Sequence, residues 1–365
     1  MTGKLYFSLV TIILLFSCKE KNETTIYENA DSLRYEQEVH LKNIRQLTFG
    51  GDNAEAYWSF NNELLVFQAT NPAWGIECDQ IYYMNAHSPL DSNEIPRLLS
   101  TGRGRTTCSY FLPGDTTIIY ASTHEGGDEC PPEPERVPGG KYTWPIYETF
   151  DIYKADLQGN IIQKLTDMRG YDAEATVSPK GDRIVFTSLR SGDLELYTMD
   201  LNGGNVMQIT DELGYDGGAF FSPDGEKIIF RASRPKTEDE ITEYKELLSN
   251  GLVQPTKMEL YVCNADGSKL RQITKLGNAN WAPFFHPSGN KVIFSSNHNS
   301  QRGFPFNLFM INLDGTGLKQ ITFDDTFDSF PMFSPDGKKL VFSSNRFNGG
   351  TRETNLFIAD WIEDE

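Results

Sequence analysis

One phrase recurs along this chain and limits what it can fold into. "FSPDGKKLVFSSNR", Phe333 to Arg346, returns as "VSPKGDRIVFTSLR" from Val177, "FSPDGEKIIFRASR" from Phe221 and "FHPSGNKVIFSSNH" from Phe285. Aligned on the residue before the Ser-Pro step, the chain has six registers: Phe60, Phe111, Val177, Phe221, Phe285 and Phe333. Their spacings are 51, 66, 44, 64 and 48 residues, so the shortest is a bare unit and the others carry insertions. Each unit reads as a strand ending at the register residue, a tight turn in which Gly takes positive φ, and a second strand of alternating apolar and polar residues, as in "KLVFSS". A third strand follows ("LELYTMD", "MELYVCN", "FNLFMIN", "TNLFIAD"), then a Gly turn, then a short fourth strand ("QKLT", "MQIT", "RQIT", "KQIT"). Four antiparallel strands expose two apolar faces, so such units must pack against one another in a ring. The expected fold is all-β, a six-bladed β-propeller of four-stranded blades. The sixth unit stops after "NLFIADW", and an orphan "IRQLT", Ile44 to Thr48, precedes the first. An N-terminal strand completing the last blade removes the exposed edge and closes the ring.

The repeat resembles the WD40-like (PD40) repeat of the TolB-type propellers over residues 44–361, most clearly in the last four units. That resemblance implies a role in protein complexes of the bacterial envelope. TolB-type proteins also carry an N-terminal domain, for which residues 19–40 are too short.

The N-terminus, "MTGKLYFSLVTIILLFSC", has a lysine and then an apolar run too short to span a bilayer. It resembles a bacterial lipoprotein signal with Leu15-Phe16-Ser17-Cys18 as the lipobox, implying cleavage before Cys18 and lipidation of that thiol. The expected organisation is a signal peptide at 1–17, a tether at 18–40 and a propeller at 41–365. The cell envelope is then the expected location, lipid-anchored at the outer membrane, on the periplasmic side or at the cell surface. A formal charge of -18 excludes a nucleic-acid backbone as partner, which needs a basic footprint.

Insertions point to the functional face. Those at about 122–150 and 233–258 both follow a second strand and rise on the face opposite the Ser-Pro turns. The second should hold a helix, with Thr237 and Glu240 as a capping box and Gly251 ending it. Five residues before each register residue lies a ring of Glu55, Thr106, Asp172, Asp216, Asn280 and Asp328, expected at the channel mouth. Its carboxylates suit a divalent cation or an amine. Four residues after each second-strand aromatic lies a mostly basic set: Asn71, His124, Arg190, Arg234, His298 and Arg346. Acidic and basic layers would then pair between neighbouring blades as structural braces. Unit two departs from the pattern, placing Arg103 and Arg105 at the mouth. Their guanidiniums either bind a carboxylate or phosphate ligand or neutralise Glu55, Asp172 and Glu174.

An exported chain meets an oxidising compartment, so one disulfide is expected among Cys78, Cys108 and Cys130, the pair left open, with Cys263 buried and inert. The sequence has no G-x-S-x-G elbow and no HExxH, and its blade histidines, His124, His286 and His298, do not share a face. The expected function is therefore a membrane-anchored, non-catalytic propeller that binds a protein or peptide through the insertion-bearing face, without a cofactor. The alternatives are a hydrolase or lyase, or a cation or small-ligand binder, at the acidic mouth.

Overall fold

The structure, a computed structural model, describes residues 32–134, 140–301 and 303–363. The signal segment, Cys18 and the tether as far as residue 31 lie outside the described residues.

Among these, six four-stranded antiparallel sheets form the blades of a propeller. Their innermost strands are Asp52–Trp58, Thr106–Phe111, Asp172–Val177, Asp216–Phe221, Asn280–Phe285 and Asp328–Phe333. The sixth blade is completed by Leu41–Gln46, which pairs antiparallel with Asn355–Trp361. The strand anticipated from "IRQLT" thus closes the ring, beginning three residues earlier.

The second strands depart from the alternation read in the sequence. In Lys339–Ser344 every residue after the lysine is buried, and Arg183–Ser188 and Lys291–Ser296 repeat that pattern. A blade is covered by neighbours on both faces, so a central strand has no solvent side on which a polar residue is free. Some hydroxyls there bond across blades instead: Ser295 Oγ donates to Asp328 O at 2.7 Å and Thr187 Oγ1 to Asp216 O at 3.2 Å.

The Ser-Pro-x-Gly turn also has an inter-blade function. Ser334 Oγ donates to Asp336 at 2.7 Å and accepts from Lys339 N at 3.0 Å, while Gly337 takes φ 72°. A Cβ on Gly181 would lie 2.4 Å from Pro113 Cγ, and one on Gly337 would lie 3.0 Å from Pro287 Cγ. At these two junctions the Pro of one blade's turn sits against the Gly of the next. Blade one has neither residue, and Asn62, at φ 66°, takes the left-handed position.

The segment assigned to the tether is partly docked, and the boundary at residue 40 is corrected to that extent. Leu33 packs on the apolar seam formed by blades five and six, and Glu38 and His40 are buried. Tyr35 donates to Asp324 at 2.6 Å and stacks on Phe347.

Helix α1, Glu238–Ser249, starts with the expected capping box of Thr237 and Glu240 and buries Tyr244 and Leu247. The strand after it, Leu252–Val253, pairs with Trp144–Pro145 of the other insertion. The two insertions therefore rise on one face, as their positions predicted, and join there in a shared ribbon.

Candidate functional site

The charged ring is built blade by blade. In blade three, Arg190 Nη2 lies 3.0 and 3.1 Å from the two oxygens of Asp172, and Arg190 Nε donates to Ser188 at 2.8 Å. Its guanidinium covers the rings of Phe186 and Tyr197 at 5.0 and 4.9 Å. Blade four repeats the arrangement with Arg234 on Asp216 (2.9 Å) and over Tyr261. In blade six Arg346 meets Asp328 at 3.1 Å and also Glu38 at 2.9 Å, all three side chains being fully buried. The bracing anticipated for these residues is present, with one correction: each pair forms inside a blade, not between neighbours. The first strand lies beside the second in register, Asp172 opposite Ser188 and Asp328 opposite Ser344, so the nearest carboxylate to each arginine is its own blade's. Burial pushes Asp216 and Asp328 up to about 6, each held from rising further by its arginine.

Where the first strand has no carboxylate, the partner has no permanent charge. Asn280 faces His298 through Ser296, whose Oγ donates to Asn280 at 2.7 Å and lies 3.0 Å from His298 Nδ1. His124 lies 2.9 Å from Ser122 Oγ, beside Thr106. Burial lowers both histidines from their ordinary value, so the neutral form suits these blades. Asp goes with Arg and Thr or Asn with His because charge is matched within each blade.

Three readings at the mouth need correction. Glu55 is not a ring member: Trp58, not Phe60, pairs as Val177 and Phe111 do, so Asn53 occupies the ring and bonds Thr354 O and Gly50 O through its amide. Arg103 pairs with Asp128 at 2.9 Å, and Arg105 pairs with Asp79 at 3.1 Å and with Glu133. Neither arginine reaches Glu55, Asp172 or Glu174 as an ion pair; both hold the insertion at about 122–150, and Arg105 links it to Asp79 of blade one. The disulfide joins Cys78 to Cys130 across the same boundary, leaving Cys108 and Cys263 as buried thiols.

The residues that do converge on the axis lie two positions after the ring. Glu55, Cys108, Glu174, Gly218, Ala282 and Phe330 all have φ between 41° and 58°, at a bulge in the inner strand of each blade. That conformation breaks the ladder there and, in the five with side chains, turns them toward the centre, while Arg231 fills the space beside Gly218. Below them, Tyr57 of blade one contacts Tyr110 of blade two and Phe220 of blade four, and Phe220 meets Phe284 of blade five. Contact between opposite blades means that these rings plug the axis. The upper channel is therefore a blind cup with an aromatic floor.

Its wall contains an arginine that the sequence reading passed over. Arg231 occupies a second-strand position that is Thr187, Ser295 or Ser343 in other blades, and it reaches inward over Gly218, where a Cβ would lie 1.9 Å from Nη1. The signal was legible: an arginine in "IIFRAS" aligned with small residues elsewhere, opposite Gly217-Gly218. Arg231 pairs with Glu174 at 3.1 Å and donates to Tyr215 OH at 2.7 Å. Glu174 also accepts from Tyr171 OH at 3.2 Å, from Gly218 N and from Tyr215 OH. Trp144 of the ribbon roofs this side, 5.2 Å from the guanidinium and 5.2 Å from the ring centre of Trp281, whose Nε1 donates to Pro255 O.

Among the described residues no three His, Cys, Asp or Glu side chains are placed to hold a metal ion, and no helix is long and apolar enough to cross a membrane.

The sequence profile described as the TolB beta propeller domain (PD40) matches residues 146–254 and 252–353. No match was found among curated proteins. Among solved structures, a TolB from Agrobacterium tumefaciens is similar, with 18% identity and a TM-score of 0.53, over 86% of this chain and 91% of that one. TolB from Acinetobacter baumannii gives 19% and 0.54, over 84% of this chain and 66% of that one. An oligogalacturonate lyase in complex with manganese gives 12% and 0.50, over 88% and 93%. At these identities the likeness is one of fold.

Proposed function

The chain belongs to the TolB beta propeller domain family, and from that premise we propose that it is a membrane-anchored, non-catalytic propeller that binds a protein or peptide partner in the bacterial cell envelope. The observation that carries this reading is the cap on one face. Two insertions from different blades are joined by a ribbon and by the Lys141–Glu243 ion pair, and the Cys78–Cys130 disulfide ties the insertion at about 122–150 to blade one. The first insertion presents Tyr142, 56% exposed, against Trp281, and the Trp281–Phe306 stack leads on to Phe304 of a blade-five loop, 62% exposed. Rigid aromatic side chains on a stapled platform are what a protein-binding surface needs, since little ordering entropy remains to be lost on association. The carboxylates of the ring, by contrast, are committed to arginines of their own blades, which leaves them unsuited to hydrolytic or lytic acid–base work.

Site-specific photo-crosslinking in intact cells tests the reading. A crosslinker at Tyr142 or Phe304 is expected to give discrete adducts, and one at Lys338 on the turn face is not. Adducts from Lys338 alone, or none from the cap, would overturn it. Anchoring is tested separately: Cys18→Ala should move the protein from the membrane fraction to the soluble one, and unchanged fractionation would remove the lipid from the proposal.

A further inference from the structure

We infer that the blind cup in the upper channel receives a protonated guanidinium or amine on an apolar stem, the side chain of an arginine or lysine presented by the partner; this rests on the docking reading above and specifies its chemistry. The argument is one of charge and shape. Arg231 and Glu174 neutralise each other, with the carboxylate saturated by two tyrosines and a backbone N–H. Glu55, across the cup, has no such partner. Its carboxylate accepts from Tyr57 OH at 3.2 Å and faces the Cys108 thiol, and among the described residues no ammonium or guanidinium lies within ion-pair distance. Cys108, Glu174, Arg231 and Tyr57 are the titratable groups around it.

The remaining wall is apolar. Ala282 of blade five and Phe330 of blade six complete the ring between Arg231 and Glu55, with Phe327 next to Phe330. Glu55, Ala282, Phe327 and Phe330 are all partly exposed, whereas Glu174 and Arg231 are buried under Trp144. The ribbon thus roofs the neutralised side and leaves open the side with the uncompensated carboxylate. An anion entering here would meet Glu55 and a guanidinium whose charge is already paired with Glu174. A cation on an aliphatic stem meets the carboxylate at its head and aromatic faces along its length.

The test uses the intact protein and small probes read by tryptophan fluorescence, since Trp144 and Trp281 line the rim. N-acetyl-arginine amide and N-acetyl-lysine amide are expected to bind saturably. N-acetyl-citrulline amide, which keeps the shape of arginine without its charge, should bind on the order of tenfold more weakly. Glu55→Gln should lower affinity for the cationic probes by a similar factor while leaving the circular dichroism spectrum unchanged. Equal binding of citrulline and arginine amides by the wild-type protein, or undiminished binding by Glu55→Gln, overturns the inference; the first comparison needs no variant to fold. The two readings fail separately. Cap-face crosslinks without amide binding sink the cup alone, and amide binding without crosslinks sinks the docking reading alone.

Discussion

At the scale of single residues, two side chains give measurable consequences. Glu195 begins the third strand of blade three, is buried, and has one carboxylate oxygen without a hydrogen-bond partner. Burial pushes it up to about 8, from an ordinary value of 4.5. A carboxyl that holds its proton more tightly when folded adds stability at acid pH, and that contribution is lost as pH rises through about 8. Glu195→Gln should therefore flatten the decline in stability over that range and gain roughly 1–3 kcal/mol at pH 8, read from urea unfolding at several pH values. An unchanged pH slope would show that the carboxyl is not the source. The second is Gly218, whose hydrogen stands where a methyl group would collide with Arg231. Gly218→Ala should displace the guanidinium from Glu174 and cost about 1–3 kcal/mol through the uncoupled buried charges and the left-handed backbone. The cup adds a pH dependence. Burial first, and Glu174 next, push Glu55 up to about 7, so cationic probes should bind more weakly as pH falls below 7 and Glu55 becomes neutral. Binding that does not change between pH 8 and pH 6 would count against Glu55 as the recognising group. Of these residues, Arg231 was legible as the odd member of an aligned column. Glu55 was misplaced because "FNNELLVF" lacks the Pro and Gly that mark the turn elsewhere, so the register slipped by two residues.

At the scale of elements, the seam of blades five and six and the cap respond differently to damage. Arg346→Ala leaves Asp328 and Glu38 facing each other in a site closed to water, and should cost about 3–5 kcal/mol. Arg190→Ala, with one carboxylate and partial exposure, should cost less. Denaturant midpoints for the two variants check the order, and a reversed order would mean that the seam is no more tightly held than an ordinary blade. Reducing Cys78–Cys130 should instead act locally. The ring hydrogen bonds remain, while the loop after Ser122 loses its covalent attachment to blade one and should be cut sooner by protease. Helix α1 was readable in advance, because a capping box is a local signal. The pairing of Trp144–Pro145 with Leu252–Val253 was not, since two-residue strands from insertions about a hundred positions apart carry no periodicity of their own.

At the scale of the whole molecule, stability rests on a closed ring in which no blade has a free face. A chain starting after Gln46 would leave the edge of Asn355–Trp361 unpaired and should associate through it, visible as loss of the monomer peak in size-exclusion chromatography. A monomer of unchanged melting temperature would show that Leu41–Gln46 is dispensable. The sequence by itself determined the number of blades, the face on which the insertions rise and the closure by an N-terminal strand. Each follows from spacing and from the need of a two-faced sheet for neighbours on both sides. Only the tertiary structure decided that every arginine of the ring answers to its own blade, that Cys78 pairs with Cys130, and that Glu174 and Arg231 neutralise each other between neighbouring blades while Glu55 has no such partner. Those outcomes depend on a few ångströms of approach between strands far apart in the chain, and a repeat that specifies each blade alone carries no information about what meets in the space they enclose.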